Sequence, residues 1–217
     1  MANFSFDPVA KYYDLLASLV YGDTLKKAQD YYLSRIPDDS QVLIIGGGTG
    51  WIIEKILKKS HSREIIFLET SQAMLNLARK KYSKISSDYA TKVTFVEGSI
   101  NSVSPNQSFD AVVTFFVLDV YSDIENEALT RQLFEKLKKG GLWLFADFDP
   151  LQRVKTPYWQ RFLLFVMYRF FRLTTGLKNQ KIPSYHQHFE ALNLRPVEHQ
   201  FFFRGFIRSS LYQKMHV

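Results

Sequence analysis

Between residues 40 and 148 the chain alternates short apolar runs with longer stretches whose apolar residues recur every three or four positions. The run Val42-Leu43-Ile44-Ile45 is too short for a helix and predicts a strand buried on both faces. The same reading places strands at 64–68, 92–96, 109–116 and 142–148. Helices are predicted at 51–59, at 71–82 with Ser71 as N-cap, and at 123–138, with Lys139-Gly140-Gly141 as the turn before the fifth strand. Strands that alternate with helices pair in parallel through right-handed crossovers, which implies an α/β, doubly wound three-layer sandwich.

The flanks read differently. Apolar residues at helical spacing from Pro8 to Val20 predict one helix, and a second follows Gly22 to Ile36, where Pro37-Asp38-Asp39 stops it. After Pro150 the alternation ends. Helices are predicted at 158–173 and 183–192, then strands at 197–203 and 206–213 joined by a two-residue turn, Arg204-Gly205. The expected sheet is therefore mostly parallel and seven-stranded, closed by a C-terminal antiparallel hairpin. No repeat, low-complexity tract or linker interrupts the pattern, so the whole chain, 1–217, is expected to be one domain. Its parts would be a helical lid (1–38), a core (39–150), a helical insertion (151–193) and the terminal hairpin (194–217).

Composition narrows the chemistry. With no Cys, disulfides, thiolate metal sites and thiol catalysis are excluded. No apolar leader follows a basic start, so cytoplasmic residence is expected. The 19 Phe and 12 Tyr suit a pocket or surface for a flat or greasy ligand. The net charge of +7 is uneven: from residue 151 onward there are eleven Lys and Arg against Glu190 and Glu198, which leaves the first 150 residues slightly acidic. That asymmetry suggests an anionic partner or a solvated basic face.

Gly46, Gly48 and Gly50 stand between a predicted strand and helix, where the chain must turn tightly and let a ligand approach the backbone. The helix that follows offers free N–H groups. About twenty residues on, at the end of the second strand, an acidic side chain in such folds accepts ribose hydroxyls, and here it is Glu69. The glycine spacing departs from the dinucleotide fingerprint, and a bulky Trp51 directly after the loop leaves little room for a pyrophosphate. An adenosine-containing cofactor with an amino-acid tail fits better.

At this point a family resemblance can be stated. Val42 to Gly50 looks like the first motif of the class I methyltransferases, which use S-adenosyl-L-methionine. Phe67-Leu68-Glu69-Thr70-Ser71-Gln72-Ala73-Met74-Leu75 resembles the next motif, and Val96-Glu97-Gly98-Ser99-Ile100 the third, which binds the adenine edge. Phe109 to Leu118 resembles the fourth, and Leu137 to Trp143 the turn before the fifth strand. The opening Phe6-Asp7-Pro8-Val9-Ala10-Lys11-Tyr12-Tyr13-Asp14 is similar to that of quinone-biosynthesis and other small-molecule methyltransferases, in which it forms a lid. The resemblance implies a Rossmann-like methyltransferase fold and a cofactor site made of Tyr13, Gly46, Gly47, Gly48, Glu69, Thr70, Ser71, Met74, Gly98, Ser99, Ile100, Phe115 and Phe116. Two positions depart from the pattern: Ile44 replaces the usual acid of the first strand, and Ser99 the usual adenine-side Asp.

Methyl transfer needs alignment and water exclusion more than a fixed set of catalytic groups. Asp119 and Tyr121, after the fourth strand, are the first candidates to orient or deprotonate an acceptor; Asp147 and Asp149 are second choices. Of His186 and His188, one is expected to face the pocket, and no metal site is expected. On the helix from Tyr158 to Leu173, Arg161, Tyr168, Arg169 and Arg172 fall in one arc, too charged to span a bilayer but suited to peripheral membrane contact or to roofing the site. The expected activity is methylation of a small-molecule or lipid-like acceptor. Aminopropyl transfer is an alternative, since Ile44-Ile45-Gly46-Gly47-Gly48 also resembles the polyamine synthases, although Thr49 stands where those carry Asp. A non-catalytic module that binds membrane or nucleic acid through the basic C-terminal third is another, and RNA methylation is unsupported because no Asn-Pro-Pro-Tyr type segment is present.

Overall fold

The computed structural model describes residues 5–85, 87, 89–149, 157–177, 179 and 181–215. Pro150 and the six residues after it, which carry the transition out of the alternating core, lie outside that description.

The strands are β1 (Gln41–Ile45), β2 (Glu64–Glu69), β3 (Lys92–Glu97), β4 (Phe109–Phe115), β5 (Leu137–Phe148), β6 (Leu194–Phe202) and β7 (Ile207–Lys214). They form one sheet in the order β3-β2-β1-β4-β5-β7-β6. The first five pair in parallel, and β7 lies antiparallel between β5 and β6. The expected fold class is therefore found.

Strand periodicity sorts the sandwich into its layers. In β1, Val42 and Ile44 enter one core with Ile53, Ile56, Leu75 and Ala78, whereas Leu43 and Ile45 enter the other with Leu133, Trp143 and Phe189. The first core is covered by α3 (Trp51–Lys59) and α4 (Gln72–Tyr82), the second by α5 (Asp123–Lys136) and α7 (Tyr185–Ala191). Helix α3 buries Ile52, Ile53, Ile56 and Leu57, a stripe at three- and four-residue spacing. Ser71 caps α4 by accepting from the Met74 N–H, and Ser122 with Glu125 makes a capping box at α5.

Three expectations are corrected in detail. The first two predicted helices are shorter: a single turn at Asp7–Val9 precedes α1 (Tyr13–Tyr21), and α2 (Thr24–Asp30) is followed by another turn at Leu33–Arg35. The Lys139-Gly140-Gly141 turn is absorbed into β5 as an irregularity, with Gly140 at φ 74° and the pairing register shifting between Phe109 and Ala111. The terminal hairpin turn is wider than two residues, because the last pair is Phe202 with Ile207. Phe203 and Phe206 are drawn out of the ladder to pack on Tyr21 and Trp159.

Helix α6 (Tyr158–Thr175) also departs from its expected orientation. Tyr168 is buried at the centre of the inward stripe with Gln160 and Thr175, rather than standing with the arginines. Its ring is buried in a small cluster with Val120, Leu177 and Leu164. Among the described residues, no helix is long and apolar enough to cross a membrane.

Trp143 is fully buried and its Nε1 donates to Thr114 Oγ1 at 2.8 Å across β4 and β5. Trp143→Ala is expected to lower unfolding free energy by about 3–5 kcal/mol through the cavity it leaves. Equilibrium denaturation with urea measures that loss.

Candidate active site

The glycine loop leaves β1 at its carboxyl end, where ligands sit in open α/β sheets. Two of its glycines are fixed by different causes. A Cβ on Gly47 would run into the Phe67 ring, so the loop is seated directly on the core. Gly48 has φ 58° and open space where its Cβ would point, so its bare backbone faces the pocket.

Glu69, the last residue of β2, ties this loop in place. Its Oε2 accepts from the Gly48 N–H at 2.9 Å, and its Oε1 accepts from the Ser71 N–H at 3.0 Å. The carboxyl is buried, which pushes its pKa up against the opposing pull of those N–H groups. Thr70 also bonds to this carboxylate through its backbone and its side chain.

The pocket continues from the loop over the ends of all the neighbouring strands. Of the residues singled out from the sequence, Tyr13, Gly46, Gly47, Gly48, Glu69, Thr70, Met74, Gly98, Ser99, Ile100, Phe115, Phe116 and Tyr121 line it together. Ile44 also reaches its floor, packed in the core with no polar function, and Ser99 stands in the wall where the family motif has Asp. This cradle fits the adenosyl and amino-acid parts of S-adenosylmethionine: an open glycine backbone, a carboxylate, and apolar walls from Met74 and Ile100.

The N-terminal segment closes over this cradle through two carboxylates. Asp7 Oδ1 accepts from Ser71 Oγ at 2.5 Å and from the Ala73 N–H at 3.0 Å. Asp14 accepts from Thr49 Oγ1 at 2.8 Å and from Lys81 Nζ at 2.9 Å. Between them Tyr13 projects into the pocket with Phe6 and Phe171 around it. The sequence motif indicated Tyr13, but the carboxylate ties were missed; their signal is the pair of acids that bracket it. Trp51 and Gln29 were missed as well, and their side chains bond at 2.6 Å along the pocket's outer wall.

Several candidates are displaced. Ser71 does not line the pocket, because its hydroxyl is consumed by capping α4 and by Asp7. Asp119 lies wholly buried behind the Val120 and Tyr121 wall instead of on it. Asp147 is fixed beside it by the Leu118 and Phe148 N–H groups. Asp149 is held by His186 at 2.8 Å and Arg208 at 3.5 Å, and His188 meets Asp123, so neither His faces the pocket. Ser71, Asp147, Asp149 and the two histidines are each turned aside by a hydrogen-bond partner away from the pocket. No His, Asp and Glu grouping suited to a metal ion occurs among the described residues.

Burial pushes the Asp119 carboxyl up from 3.8 to about 7, and burial together with the Asp119 charge raises Asp147 as well. Above the ordinary carboxylate range and up to about 7, the folded protein thus holds more protons than the unfolded chain. This contribution to stability is complete on the acid side and is lost as pH rises through that window. Asp119→Asn is expected to flatten the loss, measured as the shift in urea midpoint between about pH 5 and about pH 8.

The comparisons with known proteins agree with this geometry. A family described as a methyltransferase domain matches residues 42–141. The carboxy-S-adenosyl-L-methionine synthase of Nautilia profundicola is 22% identical over 149 residues, 67% of this chain and 62% of the relative. The mitochondrial 2-methoxy-6-polyprenyl-1,4-benzoquinol methylase of Caenorhabditis elegans is 23% identical over 160 residues, 72% of this chain and 55% of the relative. The chain thus spans somewhat more than half the length of these two proteins. In fold, it is similar to an S-adenosylmethionine-dependent methyltransferase from Clostridium acetobutylicum, with a TM-score of 0.66, 12% identity, and coverage of 95% of this chain and 98% of that one. Residues 42–141 thus match a methyltransferase domain, and the seven-stranded sheet that contains them is similar in fold to that enzyme.

Proposed function

We propose that the protein transfers the methyl group of S-adenosylmethionine to a small or lipophilic acceptor. The observation that carries this reading is Glu69 bonded to the Gly48 N–H in the wall of a pocket that continues under an aromatic lid. The cofactor would supply an activated methyl and its own leaving group, so the chain's residues have to bind, align and exclude water. Glu69 holds the ribose hydroxyls, Thr70, Met74, Gly98, Ser99 and Ile100 frame the adenine, and the Gly46-Gly47-Gly48 backbone carries the amino-acid tail. Tyr13 closes the cofactor from the lid side.

The acceptor space lies against Val117, Val120 and Tyr121, beside the Phe115 and Phe116 edge of the cofactor site. These walls are apolar apart from one hydroxyl. Burial raises the Tyr121 pKa to about 12, so the phenol stays neutral and orients an acceptor as a hydrogen-bond donor or acceptor. Asp119 acts from behind this wall, as a positioning group for the turn that carries Tyr121. The benzoquinol methylase relative supports a lipophilic, ring-bearing acceptor, and a peripheral membrane contact through Tyr158 to Leu173 on an otherwise cytoplasmic protein suits the same class. In this reading residues 1–38 are the lid and 151–193 the acceptor cap of one domain.

Calorimetry with S-adenosylmethionine, its decarboxylated form and S-adenosylhomocysteine tests the reading. The first and third are expected to bind; preference for the decarboxylated compound would assign aminopropyl transfer, and no binding of any would end the enzymatic reading. Glu69→Ala is expected to weaken S-adenosylhomocysteine by about 1–3 kcal/mol through lost hydrogen bonds to a charged group. An unchanged affinity in that titration refutes the ribose assignment.

A further inference from the structure

Among the described residues, twelve of the sixteen large apolar side chains that stand open to solvent lie on two helices, α6 and α1 with its N-cap Tyr12. On α1 they include Leu15 and Leu19, the latter 73% exposed; on α6 they include Phe162 at 68%, Phe165 at 67% and Leu173 at 71%. So dense an apolar exposure is unusual for a freely solvated surface.

The two helices are neighbours, and α1 lines the pocket. Tyr21 of α1 donates to Met167 Sδ of α6 at 3.6 Å, and Phe171 of α6 packs 6.3 Å from the Tyr13 ring. Inward residues of α1, namely Tyr13, Asp14, Ala17 and Ser18, line the pocket itself. Helix α1 therefore spends its inner face on the pocket, α6 packs beside it, and the outer faces of both remain apolar.

Charge identifies the occupant. Helix α6 carries Arg161, Arg169 and Arg172, all exposed, and no acidic residue. None of the three takes part in an ion pair among the described residues. Lys11 is exposed one residue before Tyr12, and Arg204 is exposed beside Phe203, which packs on Trp159 of α6. A second copy of this chain would set these cations against one another. Apolar side chains interleaved with unpaired arginines, with Tyr158 and Trp159 at one end, instead match the boundary between acyl chains and anionic headgroups.

We propose that α1 and α6 together form a docking surface for an anionic lipid bilayer, and that the acceptor passes from the bilayer to the pocket between them. The acceptor route rests on the methyl-transfer reading; the docking surface does not. Because α1 is also the wall of the pocket, the element that covers the cofactor is the one that enters the lipid. This differs from a basic arc lying on headgroups: here apolar insertion leads and the arginines rim it.

The test is co-sedimentation of the full chain with vesicles of phosphatidylcholine alone and of phosphatidylcholine mixed with phosphatidylglycerol. The wild-type chain is expected to partition onto the anionic vesicles only, less at high salt, with Trp159 emission quenched by bromine-labelled acyl chains. A Leu19→Ser/Phe162→Ser/Phe165→Ser variant and an Arg161→Glu/Arg169→Glu/Arg172→Glu variant are each expected to lose about tenfold or more in partitioning. Both should keep the wild-type affinity for S-adenosylhomocysteine in the absence of vesicles, which shows that the pocket is intact. Absence of wild-type partitioning, equal partitioning onto neutral vesicles, or full retention by either variant overturns the proposal. So does self-association in ultracentrifugation that the same variants abolish without any vesicle binding, which would assign the face to a second copy. Vesicle binding without any cofactor binding would uphold the surface while the methyl-transfer reading falls.

Discussion

A single carboxylate organises the functional end of the sheet. Glu69 closes β2 and accepts one N–H from the glycine loop after β1 and another from the start of α4. It thereby holds two adjacent strand ends and a helix N-terminus in one arrangement. A buried carboxylate is costly unless it is hydrogen-bonded, and here the N–H groups of Gly48 and Ser71 offset part of its desolvation. The loop needs that tie because its glycines give it no side-chain packing of its own.

The sheet was the most legible part of the chain because its signal is local and redundant. Val42 to Ile45 has to be buried on both faces, and its alternate residues do enter two separate cores. The pocket lining was nearly as legible, since the loop, Glu69, Gly98 and Phe115 all occupy strand ends whose position follows from the topology. Errors arose where a side chain's direction is decided by distant partners. Ser71 is spent on capping, Asp149 on Arg208 and His186, and Tyr168 is turned inward by Val120 and Leu177. No spacing rule encodes those choices.

The hairpin turn shows the same limit. Arg204-Gly205 has the composition of a tight two-residue turn, yet Phe203 and Phe206 gain more by packing on Tyr21 and Trp159 than by pairing. Tertiary packing thus widened a turn that local propensity would have kept narrow. It also anchored α6 and α1 to the end of the sheet.

The N-terminal segment is attached quite differently from the layers beneath it. Asp7 and Asp14 grip Ser71, the Ala73 amide, Thr49 and Lys81 through partly solvated polar contacts, whereas the strands are held by dry apolar packing. Dissolved ions weaken the first kind of contact and leave the second almost untouched. Ionic strength is therefore a lever that loosens the cover over the glycine loop without softening the floor on which that loop rests.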